Sequence, residues 1–204
     1  MLEPTDLLPP IRRLHDLLRD GILAATRERS SEELSTVVAE QGGDLVFALD
    51  EIAEKTLLEF VTAEIASREP VVLIAEGLPE GQLVLPRGTS EEACRWRIIV
   101  DPIDGTRPLM VQKRSGWVLT GVAPNLGGKT NLQDIVLAVQ TEIPLVKQYL
   151  SDQMWAIRGE GVGAIRQNLQ SGETHDLKLG PSTATTIALG FATISRFFPG
   201  VTDV

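Results

Sequence analysis

Cysteine is nearly missing: Cys94 stands alone in 204 residues. A single thiol excludes an intramolecular disulfide and fits a reducing compartment, so the cytoplasm is the expected location. With no basic cluster and His beside it, that thiol is expected to be inert. Histidine is scarce too. His15 and His175 have no second His or Cys at ligand spacing, which sets zinc aside and leaves both structural or solvent-facing. Basic charge falls short, with 19 Lys and Arg against 28 Asp and Glu, a formal charge of −9. Polyanion binders carry a basic excess, so no nucleic acid polymer is expected as a partner. No apolar run approaches the roughly 20 residues of a membrane span. Glu3 and Asp6 stand where a secretory signal needs positive charge and then an apolar core. Repeats, low-complexity tracts and linkers are also absent.

What is present is globular: 43% hydrophobic and 23% charged residues, enough for one domain or two lobes sharing a core. Leu7, Ile11, Leu14, Leu18 and Ile22 form one apolar stripe at helical spacing, with Pro9 and Pro10 in the first turn or before it. Thr36–Ala39 and Leu45–Leu49 read as a hairpin around Gln41–Asp44. Asp50–Ser67 reads as a second amphipathic helix, with Leu58, Val61 and Ile65 inward and a Glu51–Lys55 pair outward. Val71–Ala75 is a buried strand, a Gly- and Pro-rich loop follows to about Arg95, and Trp96–Val100 is another strand. Trp117–Ala123, Asp134–Thr141, Gln153–Arg158 and Val162–Arg166 complete the strands. Gly159–Gly163 lacks dinucleotide-loop spacing and reads as a tight hairpin. Trp96, Trp117 and Trp155 belong to the core rather than to a stacking platform. Early helices and late strands give an α+β class.

Acidic residues fall where these strands run out: Asp50, Glu76 and Asp101, with Asp104 close behind. Strand ends at a sheet edge are common places for a site. The hexapeptide Asp101-Pro102-Ile103-Asp104-Gly105-Thr106 predicts a type I turn, which brings the two Asp Cα atoms within about 7 Å. Carboxylates that close repel unless a cation intervenes, and the Ile103 carbonyl adds a neutral oxygen. Gly105 permits a left-handed backbone, Thr106 reads as a helix N-cap and Pro108 as a first-turn residue. Such a start beside carboxylates suits a phosphate. An all-oxygen donor set selects Mg2+ or Mn2+. The bland readings are a surface turn for the hexapeptide, a helix-capping role for Asp50 and a solvated loop carboxylate for Glu76.

These residues resemble the inositol monophosphatase family, a superfamily of Mg2+-dependent, lithium-sensitive phosphatases that includes fructose-1,6-bisphosphatases and 3′(2′),5′-bisphosphate nucleotidases. The resemblance rests on DPIDGT at 101–106 after Arg97–Val100, DLVFALDEIAE at 44–54, LIAEG at 73–77 and MWAIRGEGVGA at 154–164. It implies a layered αβαβα sugar-phosphatase architecture, with an N-terminal lobe over 1–142 and the start of a second over 143–204. It also implies Glu76, Asp101, the Ile103 carbonyl and Asp104 as ligands of two or three Mg2+ ions. Asp50 and Thr106 would activate water, and Gly105 and Thr106 would present N–H groups to phosphate. The implied reaction is in-line hydrolysis of a small phosphomonoester, an inositol phosphate or related sugar phosphate, by metal-activated water. Relatives are often homodimers.

The sequence departs from the family pattern in places. Gly77 replaces a second acid, Phe47 and Leu49 replace threonines, Ala39-Glu40 stands where a Lys is common, and Trp155 is followed by Ala156 rather than Asp. Phe191, Phe197 and Phe198 crowd the last residues as apolar surface that wants a cover. The expectation is a second lobe left incomplete. The alternative function is therefore a catalytically impaired member or gene fragment keeping a partial metal site or an interaction role.

Overall fold

The apolar stripe of the first helix finds its partner in a sheet. The computed structural model describes residues 1–28, 37–41, 44–188 and 190. Helix α1 runs Pro4–Glu28 and buries Leu7, Ile11, Leu14, Leu18 and Ile22. It begins earlier than the prolines predict. Pro4 opens it, the Glu3 N–H donates to Asp6 Oδ2 at 2.9 Å, and Pro9 and Pro10 lie inside the helix. Two backbone donors are lost there, a cost set against the complete burial of Leu7 and Ile11.

Strands β1 (Val37–Gln41) and β2 (Asp44–Phe47) pair antiparallel, Gln41 opposite Asp44. The expected turn glycines 42 and 43, and Thr36, lie outside the described residues, as do Phe191, Phe197 and Phe198. Helix α2 (Ala48–Phe60) continues into a π-helical turn, Val61–Ala66. Leu49 and Asp50 thus belong to the helix and not to a strand and its end. The inward face of α2 is Leu49, Ala53 and Leu57, joined by Val61 and Ile65, while Leu58 is half-buried. Lys55 pairs at 3.9 Å with Glu59 on the exposed face, rather than with the expected Glu51.

The sheet has eight strands in the order β10-β9-β8-β7-β6-β5-β3-β4. Their ranges are β3 Val71–Ala75, β4 Gln82–Leu85, β5 Trp96–Asp104, β6 Gly116–Pro124 and β7 Leu137–Ile143. The last three are β8 Leu150–Ile157, β9 Gly161–Asn168 and β10 Thr174–Asp176. Among the described strands of this sheet, only β3 and β5 pair parallel. Both α1 and α2 pack on one face, α1 over β6 and β7 and α2 against β5. Strand β8 turns tightly into β9, with Ile157 opposite Gly161, as the glycines predict. Strands β4 and β10 were not legible in the sequence, because both are short edge strands with little buried surface. The short β10 holds His175, exposed at the sheet edge. The lobe division expected at 142/143 falls within β7, and β8 to β10 extend the same hydrogen-bonded sheet. Among the described residues no helix is long and apolar enough to cross a membrane.

Among the described residues no helix packs on the opposite face of the sheet. There a groove of about 540 Å3 is lined by Ile99, Leu119, Ile135, Met154 and Ala156, with Asp101 also reaching it. Trp96 is buried and donates its indole N–H to the Leu2 carbonyl at 3.0 Å. Trp155 lies under the Arg12 guanidinium, 4.0 Å from the ring centre. Cys94 is a free, buried thiol, and burial, then the charge of Glu91, holds it protonated.

His15 is the one histidine inside the core. Its Nδ1 lies 2.9 Å from Thr141 Oγ1 and its Nε2 2.8 Å from Thr120 Oγ1, so two strand hydroxyls clasp the ring of α1. Gln153 Nε2 donates to the same Thr141 hydroxyl at 3.1 Å. Burial pushes the imidazole down to about 3 from the ordinary 6.5. The folded chain therefore refuses a proton that the unfolded chain accepts. The stability this gives is complete above about pH 6.5 and is lost as pH falls towards about 3. We predict that thermal melts between pH 6.5 and 4 lose stability more steeply in the wild type than in His15→Gln. The excess slope should approach one proton, about 1.4 kcal/mol per pH unit, and parallel slopes would contradict it.

Candidate functional site

A break in strand parity makes the site. Residues three apart on a regular strand face opposite sides. In β5, Asp101 stands opposite Leu119 of β6 and Asp104 opposite Trp117, so three steps on one strand match two on the other. The extra residue is a β-bulge, and it places Asp101 and Asp104 on the same face. Burial confirms the slip, because Trp96, Ile98, Val100 and Pro102 face inward and then Ile103 does as well. Pro102 suits this position, where a ladder donor is dispensable. The predicted type I turn is thus corrected to a bulged strand. The intended juxtaposition survives by different geometry, because the Ile103 N–H donates to Asp101 Oδ1 at 3.1 Å and closes a local turn inside the strand.

The parallel pairing of β3 with β5 adds the third acid. Ala75 is level with Val100, so Glu76 leaves the sheet beside Asp101. Asp50 comes from the first turn of α2, where an anion is favoured by the helix dipole. Thr106 Oγ1 lies 3.2 Å from Asp50 Oδ1 and 2.9 Å from the Ile103 carbonyl oxygen. Its one proton serves either acceptor in turn. Gly105, at φ 87° and ψ 35°, caps the five-residue helix α3 (Thr106–Met110). Thr106 is therefore the first helical residue and not the cap, and its hydroxyl is released for Asp50.

Electrostatics ties the four carboxylates together. The Asp101 carboxyl is pushed up to about 6, first by burial and then by the charges of Asp104, Glu76 and Asp50, against the pull of the Ile103 N–H. The sequence-predicted acids are thus within electrostatic reach of one point. Among the described residues, however, no three His, Cys, Asp or Glu side chains are grouped so that together they could hold a metal ion. The donor chemistry still fits a hard cation, because Mg2+ takes one or two carboxylates and keeps several waters. Asp101, Asp104, Glu76 and the second lone pair of the Ile103 carbonyl are the oxygens that could hold it.

Two residues escaped the sequence reading. A Cβ on Gly77 (φ 89°) would meet Glu54 Oε2 at 2.6 Å, so the Glu54 carboxylate lies where a side chain at position 77 would go. Burial, then Glu51, pushes that carboxyl up. Asp50 and Glu54 are four apart on α2, and this helical spacing was the available signal. The second residue is Arg114, whose guanidinium lies against Gly105. Its place depends on how the loop before β6 folds back, and no local pattern marks it.

The fold is shared with solved phosphatase structures. The chain is similar to a fructose-1,6-bisphosphatase of Leishmania major in holo form, with TM-score 0.62 and 18% identity over 84% of this chain and 52% of that one. A Ca-bound IMPase family protein of Staphylococcus aureus gives 0.55 and 18%, over 80% and 52%. The extragenic suppressor protein suhB of Bartonella henselae gives 0.55 and 19%, over 76% and 50%. At these identities the likeness is one of fold alone. It bears out the expected α+β class and a partial form of the layered architecture. The chain spans about half the length of the solved structures it matches. No family model and no curated protein matches the sequence.

The crowding of charge on Asp101 has a measurable cost. Its folded value lies above the ordinary 3.8, so its contribution to stability is present in acid and is lost as pH rises through about 6. In EDTA at pH 7.5, Asp101→Asn should raise Tm by about 2–4 °C, and at pH 4 the two proteins should melt together. Asn retains an acceptor for the Ile103 N–H. Equal Tm at pH 7.5 would show that the carboxylates do not interact.

Proposed function

We propose that this chain carries the site of a metal-dependent phosphomonoesterase of the inositol monophosphatase type, acting on an inositol phosphate or related sugar phosphate. The observation that carries the reading is the influence of Asp50, Glu76 and Asp104 on Asp101 beside the Gly105–Thr106 turn. A divalent cation held there would supply positive charge for the reacting phosphate and lower the pKa of water from ~15.7 towards neutrality. Asp101 and Asp104 hold their oxygens on one face because the bulge fixes them. Glu76 approaches from the parallel strand.

Asp50 and Thr106 manage the proton. With the Thr106 hydroxyl donating to Asp50, its oxygen can accept from a water, and the proton lost on attack passes towards the Asp50 carboxylate. The water oxygen bonds to phosphorus as the ester P–O bond opposite it breaks. The alcohol leaves with a proton from solvent, and inorganic phosphate remains. The backbone N–H groups of Gly105 and Thr106 orient the phosphate oxygens. Fructose-1,6-bisphosphate and a bisphosphate nucleotide are alternative substrates of the same chemistry. Gly77 favours a second reading, a chain that binds metal and phosphate with impaired turnover, because the acid that family members carry there is absent.

Purified protein assayed on inositol phosphate, fructose bisphosphate and a bisphosphate nucleotide should release phosphate with Mg2+ and not with EDTA. Asp104→Asn should lower the rate by about 100-fold or more. No release from any of the three would leave the second reading standing, and unchanged turnover in Asp104→Asn would overturn the ligand assignment.

A further inference from the structure

We infer that the chain's own residues 191–198 cover the apolar groove on the sheet face away from α1 and α2. The groove's shape, its charge and the place where the chain leaves the sheet all point to that segment. Its floor is one row of cross-strand partners, Ile99, Gly121, Ala138, Ala156 and Val162, running from β5 to β9. The three middle positions are the smallest, so the floor is hollow and suits large side chains. Ile99 is 40% exposed and Val162 69%. Contiguous apolar surface of this kind marks a docking place.

The chain passes the groove on its way out of the sheet. Leu177 N–H donates to the Ala164 carbonyl at 2.9 Å, and Leu179, like Val162, lines the groove. Ile187 follows, 91% exposed. Next in the sequence come Phe191, Ile194, Phe197 and Phe198, with three of the five Phe of the chain. Twelve residues carry the chain from Leu179 to Phe191, a reach of about 40 Å when extended. The five strands of the floor span about 19 Å, so the segment can return over all of them. Between Asp176 and Asp203 there is no acid, while Lys178 and Arg196 supply positive charge. At the far end Asp101 reaches the groove, and Asp104 and Glu142 stand beyond it on the same face. An aromatic and basic segment thus complements an apolar floor with an acidic end. The tether at Leu179 holds it at an effective concentration of about millimolar, which favours it over a second copy of the chain.

Thiol labelling by a maleimide tests the cover in the full-length protein, with the buried Cys94 of the wild type as background. Ala138 is exposed in the groove floor, and Leu126 is 54% exposed outside the groove. Ala138→Cys should react at least about tenfold more slowly than Leu126→Cys, because a covered thiol reacts through local opening. Adding Phe191→Ser and Phe198→Ser to Ala138→Cys should bring its rate within about threefold of Leu126→Cys. With Ala138 left in place, the same two serines should raise the fluorescence of bound anilinonaphthalene sulfonate several-fold over wild type, as newly exposed apolar surface does. Labelling of Ala138→Cys as fast as that of Leu126→Cys would show the groove uncovered and overturn the inference. Protection that survives both serines, or no gain in dye fluorescence, would assign the cover to something else. Protection that fades on dilution would assign it to a second copy.

Discussion

One inserted residue in β5 governs the arrangement of charge in this protein. Without the bulge between Asp101 and Asp104, strand alternation would send one carboxylate into the core face under α2 and leave the other outside. With it, both stand on the open face, and the inward position passes to Ile103, which is buried. Core packing and site geometry thus depend on the same defect. Pro102 and the Asp101–Ile103 hydrogen bond hold it in place, the first by not requiring a ladder partner and the second by satisfying a donor.

The surrounding elements converge on this point by ordinary packing. Parallel pairing of β3 with β5 is unusual in an otherwise antiparallel sheet, and it brings two strand ends to one edge. Helix α2 lies on β5 through its buried face and delivers Asp50 from its first turn. The glycines at 77 and 105 mark close approaches, one by the Glu54 carboxylate and the other by the Arg114 guanidinium. Burial and the neighbouring carboxylates raise the Asp101 carboxyl, so its ionisation costs free energy that a bound cation would offset. Marginal local stability of this kind is common at functional sites. Rigidity comes instead from the α1–sheet interface, where His15, Thr120, Thr141 and Gln153 satisfy one another and no buried side-chain polar atom among the described residues is left without a partner.

Much of the site was legible from local patterns. Asp101, Asp104, Gly105 and Thr106 are neighbours in sequence, and Glu76 follows a continuous apolar run whose end is easy to locate. The errors arose where two local preferences competed. Asp-Pro favours a turn, yet the apolar residues on both sides favour a strand, and cross-strand pairing with β6 decided for the strand. Thr106 is a good cap by residue type, but Gly105 alone can take the left-handed conformation that the chain needs there, so it became the cap. His15 was ambiguous beside the helical stripe, because only the threonines of β6 and β7 make its burial tolerable.

Residue order by itself determined the apolar periodicities, the acidic balance, the supply of oxygen donors and the positions where only glycine serves. These are properties of a residue and its near neighbours, and no folding is needed to state them. The tertiary structure decided the pairing of β3 with β5, the face shared by Asp101 and Asp104, the reach of Thr106 to Asp50, and the approach of Glu54 and Arg114 to the two glycines. Each of these joins residues far apart in the chain or depends on register against a partner strand. Such contacts are selected by the total burial and hydrogen bonding of the whole sheet, a sum that no short window of sequence contains.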